Sequence, residues 1–159
     1  MSLQRLWQMS YDSKWIDVLR NSKHAIPLIQ SFHLFGIVLL LSSIVVLNFR
    51  LLGIGLTEID MGALAKHAWR YGTIGLLLAM VTGFFVFLPD PARYAANTSF
   101  VTKMSLLLVA IIFQYTIYRR AVRNRTASGD THRRVLLPLL SLTLWFAVGW
   151  AGRAIAFLG

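Results

Sequence analysis

Hydrophobic residues come in four long blocks separated by short polar connections. The first block, residues 25–49 (AIPLIQSFHLFGIVLLLSSIVVLNF), holds no Lys, Arg, Asp or Glu. The others run from about 69 to 88, about 100 to 118, and 135 to 158. Each has roughly the 20 residues a helix needs to cross about 30 Å of hydrocarbon. No stretch alternates apolar and polar positions over the roughly ten residues of a membrane-spanning strand. The pattern predicts an all-α integral membrane protein: a four-transmembrane-helix bundle over residues 25–159, with the lipid bilayer as its surroundings.

The punctuation agrees with these blocks. Arg50 and the glycines Gly53 and Gly55 close the first, and Pro89-Asp90-Pro91 closes the second, because proline cannot continue a helix. Arg119, Arg120, Arg123 and Arg125 end the third, residues 126–131 form a polar turn, and Arg133-Arg134 open the fourth. Ahead of the first block, Leu3, Trp7, Tyr11, Trp15 and Leu19 recur at every fourth position. Residues 1–24 are therefore expected to form an amphipathic helix lying in the membrane interface, with Trp and Tyr at headgroup level, rather than a cleaved signal peptide.

Composition sharpens the class. Apolar residues make up 57% of the chain and charged residues 14%, against about 45–50% and about 25% in soluble domains. With no cysteine, disulfides, iron–sulfur clusters, thiolate zinc sites and covalently attached c-type haem are excluded. The net charge of +10 would suggest nucleic acid in a soluble protein. Here the basic residues flank apolar blocks, so they read as topology signals and no nucleic-acid partner is expected. The connection between blocks three and four carries six arginines against one aspartate. That connection and the one between blocks one and two are expected in the cytoplasm. Both termini then face the periplasm of a multi-pass protein of the bacterial inner membrane.

Ionisable side chains inside a span are costly and are candidates for function. His33 lies eight residues after Ala25, about 12 Å along its helix. Lys103 lies just inside the third block and Arg153 near the end of the fourth. Because the spans alternate in direction, all three fall in the same half of the bundle. His33 is a candidate metal ligand, and Gly36, one turn on, is expected to leave clearance for a flat macrocycle. Lys103 and Arg153 are candidates for binding carboxylates such as haem propionates or a porphyrin substrate; snorkelling to the interface is the alternative for both. Gly72, Gly75 and Gly83 fit helix packing. His67 is expected at the opposite interface, and His24 and His132 in solvent. No carboxylate lies within a block, and no phosphate-binding glycine motif occurs.

Several short segments carry a resemblance: Ser31-Phe-His33-Leu-Phe-Gly36, Asn48-Phe-Arg50-Leu-Leu-Gly53, Thr82-Gly83, Tyr94-Ala-Ala-Asn97 and Phe100-Val-Thr-Lys103. From Ile26 onward the chain resembles small bacterial four-helix membrane proteins of unknown function, distantly similar to CopD-type and HemJ-type proteins. In HemJ-type protoporphyrinogen oxidases a histidine in the first span and a lysine opening the third are the functional pair, and b-type haem is bound. The resemblance places those roles on His33, as haem-iron ligand, and on Lys103, as catalytic residue. CopD-type proteins imply copper handling, for which the scattered methionines here form no soft-ligand cluster.

The expected function is thus haem b binding in electron transfer or porphyrin-linked oxidoreductase chemistry, with a redox partner or a homo-oligomer. Alternatives are a non-catalytic anchor or assembly subunit and a CopD-like metal-handling protein. At the depth of His33 the same chain offers no second histidine. A second axial ligand would come from Lys103, a methionine, water or another subunit.

Overall fold

The computed structural model describes residue 22, residues 24–56, 58–91, 94, 97–123 and 131–158. The expected amphipathic segment 1–24 falls almost entirely outside them. The described chain is helical: α1 (Ala25–Leu52), α2 (Met61–Phe87), α3 (Thr98–Phe113), a π-helical turn (Gln114–Tyr118), a short α4 (Arg119–Arg123) and α5 (Thr131–Leu158). Four of its segments, Ala25–Leu52, Met61–Phe87, Thr98–Tyr118 and Val135–Ala154, are long and apolar enough to span a membrane. Phe146 and Trp150 are 73% and 71% exposed, an exposure that an apolar solvent accommodates and water does not. The protein is a multi-pass membrane protein.

Local chemistry sets the helix ends. Gly53 takes φ +77°, so its amide reaches the carbonyl of Arg50 while Ile54 N–H donates to Phe49 O. These are the two bonds of a Schellman stop. Helix α2 begins at Met61, well before the apolar block at Trp69, because Asp60 Oδ2 accepts from Ala63 N–H at 2.8 Å and caps the helix there. Hydropathy marks where lipid begins, and the cap marks where the helix begins. Asn97 caps α3 in the same way, accepting from Ser99 and Phe100 N–H.

Helix α1 packs against α2 and α5, and α5 against α3. The α1–α2 seam is the tightest. A Cβ on Gly75 would lie 2.6 Å from Leu40 N and 2.7 Å from Gly36 O, and one on Gly36 would lie 2.8 Å from Ala79 N. The two backbones touch, which only glycines allow. Leu40, Ile44, Leu76, Ala110, Trp145 and Val148 join all four spans at mid-depth. Toward the arginine end, Leu47, Leu51, Ala68, Phe113 and Tyr118 form a second cluster, and the Arg119 guanidinium lies 5.6 Å from the Trp69 ring centroid. Toward the other end the packing thins: no residue of α3 from 98 to 109 is buried.

Candidate site at the His33 end of the bundle

His33 is half-buried against α2. Its Nδ1 lies 2.9 Å from Ala79 O and 3.1 Å from Thr82 Oγ1. A carbonyl only accepts, so the Nδ1 proton is on the ring. The Thr82 hydroxyl gives its own proton to Leu78 O at 2.6 Å, so it too accepts from His33. With its proton on Nδ1, a neutral imidazole here carries its lone pair on Nε2. Gly83 makes room for the ring: a Cβ there would come 3.0 Å from His33 Cε1.

Lys103 is close enough for its charge to act on His33. Its Cδ and Cε lie against Gly152, where a Cβ would sit 3.7 and 3.6 Å from them. The stem thus reaches from α3 to α5. Arg153, next to Gly152, is exposed. Of the three basic residues expected together, Lys103 lies within electrostatic range of His33, and Arg153 is exposed at the same end. His67 is exposed and stacks on Tyr71 with ring centroids 6.4 Å apart, far from His33 along the bundle. His24 is exposed ahead of α1. The side chain of His132 lies outside the described residues.

One expectation needs correction. Gly36 gives no clearance for a macrocycle, because the backbone of Gly75 and Ala79 fills the space over it. The glycine beside the imidazole is Gly83, on the other helix. The sequence offers Gly83 for helix packing and Thr82-Gly83 as part of the resemblance, without setting either against His33. The available signal was the adjacency Thr82-Gly83, which puts an acceptor and a gap side by side on one face of α2.

The donor set fits an axial ligand of haem iron. A ligating histidine characteristically donates its other N–H to a carbonyl, which orients the ring and sharpens the free nitrogen as a ligand. A chelated metal ion has less support: among the described residues no three His, Cys, Asp or Glu side chains gather.

The fold and this site define a four-span membrane protein with a half-buried histidine at one end of the bundle and a lysine within electrostatic range of it. Residues 23–158 match DUF6644, a family of unknown function, and the chain belongs to that family. No curated protein and no solved structure matches the chain.

Proposed function

We propose that this protein binds haem b in the bacterial inner membrane and works in electron transfer or porphyrin-linked redox chemistry. The supporting observation is the 2.9 Å contact of His33 Nδ1 with Ala79 O, which commits one imidazole nitrogen to the protein and leaves the other as a ligand. Bound haem would supply reversible one-electron chemistry at its iron. Thr82 and Gly83 hold the imidazole in place. Lys103 offers a charge-assisted contact to a propionate or to a porphyrin carboxylate, and Arg153 sits where such groups reach the surface. In this proposal the arginine-rich end faces the cytoplasm, so the His33 end and both termini face the periplasm, where a redox partner or second subunit docks.

The test is an absorption spectrum of the purified protein and of His33→Ala. The native protein is expected to show a Soret band nearly stoichiometric with chain. His33→Ala is expected to lose it while keeping its size-exclusion profile. Full haem content in a well-folded His33→Ala protein, or native protein without haem when expressed with haem supplied, overturns the proposal.

A further inference from the structure

A buried polar chain crosses the bundle toward the arginine end, and its geometry fixes the orientation of every group. The atom of Asn48 lying 2.8 Å from Ile44 O must be the donor Nδ2, since a carbonyl only accepts. Its Oδ1 then accepts from the Tyr118 hydroxyl at 2.8 Å. The second Nδ2 proton goes to Ser141 Oγ at 3.2 Å, and Ser141 passes its own proton to Gln114 Oε1 at 2.9 Å. The carboxamide of Gln114 is therefore turned with Nε2 on the opposite side. Gln114 is 3% exposed, and its Nε2 has no hydrogen-bond partner among the described residues. That nitrogen is not one of the fully enclosed unpartnered atoms, among which Trp145 Nε1 stands alone in the described residues, so it borders accessible space.

Gln114 also lines a cavity of about 10 Å³ between α1, α2 and the π turn, together with Leu40, Ser43, Ile44, Gly72 and Tyr115, among others. Two hydroxyls on that wall have spare lone pairs. Ser43 Oγ donates to Leu39 O at 2.8 Å. Thr73 Oγ1 donates to Trp69 O, so in the 2.8 Å contact between Thr73 and Tyr115 the tyrosine donates, and its oxygen can still accept. The wall thus presents one two-proton donor and two acceptors. The indole N–H of Trp145, buried without a partner, belongs to the same packed cluster as Leu40 and Ile44.

We propose that this cavity is a binding site for a single water molecule, held by Gln114 Nε2 as donor and by the Ser43 and Tyr115 hydroxyls as acceptors. The volume fits one water, and three hydrogen bonds are what a buried water typically makes. A cation would face the Gln114 protons, an anion would find no positive charge on the wall, and an acyl chain would leave the amide unmatched. Two carboxamides interrupt the polar chain, and carboxamides do not exchange protons readily near neutrality. The water therefore completes the hydrogen bonding of the π turn and does not form part of a proton wire. The turn itself, rare in helices, sets Gln114 and Tyr118 so that both are buried and both join this chain.

Solid-state NMR of side-chain ¹⁵N-glutamine-labelled protein in bilayers tests the site. Magnetisation transfer from water is expected to reach the Gln114 side-chain NH₂, assigned by its disappearance in Gln114→Leu. A second variant, Gly72→Ala, places a Cβ 3.3 Å from Ser43 Cβ on the cavity wall and is expected to cut the transfer at least two-fold with the fold intact. No transfer to Gln114 in the native protein, or transfer only from lipid acyl protons, overturns the proposal, as does a Gly72→Ala protein with undiminished transfer.

Discussion

His33 on α1 and Gly83 on α2 are in contact across the helix seam, with the imidazole Cε1 only 3.0 Å from where a Gly83 Cβ would stand. Such a distance is tighter than ordinary side-chain contacts, so Gly83→Ala should displace the ring from Ala79 O. On the proposed function, haem occupancy of Gly83→Ala falls several-fold in the Soret spectrum. Thr82→Val, which keeps the carbonyl partner and the space, falls less and shifts the midpoint potential. Equal, native-like occupancy in both variants would show that ring placement at this seam does not matter to the site.

The α1–α2 seam predicts a sharp steric contrast between glycines. Gly75→Ala forces a methyl into the Leu40 and Gly36 backbone and should destabilise by about 1–3 kcal/mol, as overpacking does. Gly149 has open space around its Cβ position and lies in a helix, so Gly149→Ala should be neutral or slightly stabilising. Thermal unfolding in detergent, followed by the loss of monodisperse protein, compares the two. Matching midpoints would mean the backbones do not approach as closely as the structure has them.

Asn48 is fully buried and makes hydrogen bonds to α1, α5 and Tyr118. Asn48→Leu removes the acceptor of the Tyr118 hydroxyl bond and the donor to Ser141 together, and losing buried hydrogen bonds of this kind should cost about 1–3 kcal/mol. Tyr118→Phe removes a single hydroxyl and should cost less, about 1 kcal/mol. The ordering of the two unfolding midpoints is the check.

Orientation is open to a direct measurement. The six arginines between the third and fourth spans resist translocation, so reporter fusions at Gly129 should be active in the cytoplasm and fusions at Gly159 in the periplasm. A periplasmic signal at Gly129 would invert the assignment of the His33 end while leaving its geometry untouched.

Asp60 carries the start of α2 through one hydrogen bond to Ala63 N–H. Asp60→Ala should cost roughly 1 kcal/mol, and Asp60→Ser should recover most of it. The same unfolding assay reads both.

By itself the sequence determined the class of this protein, because lipid imposes one dominant rule. A span must be a long apolar helix with its backbone bonds satisfied internally, so block length and the positions of Gly53, Pro89 and the arginines were enough to find four spans. It also placed His33, Lys103 and Arg153 at one end, since depth follows from counting residues along alternating helices. What it left undecided was rotation about each helix axis. A uniformly apolar helix has no polar face to say which way it turns, so nothing in the pattern set Gly36 against α2, put Gly83 under the imidazole or left Arg153 exposed. The buried chain of Asn48, Ser141, Gln114 and Tyr118 was hidden for the same reason. Single polar residues scattered over three segments become a network only when packing turns them inward, as the π turn does for Gln114 and Tyr118.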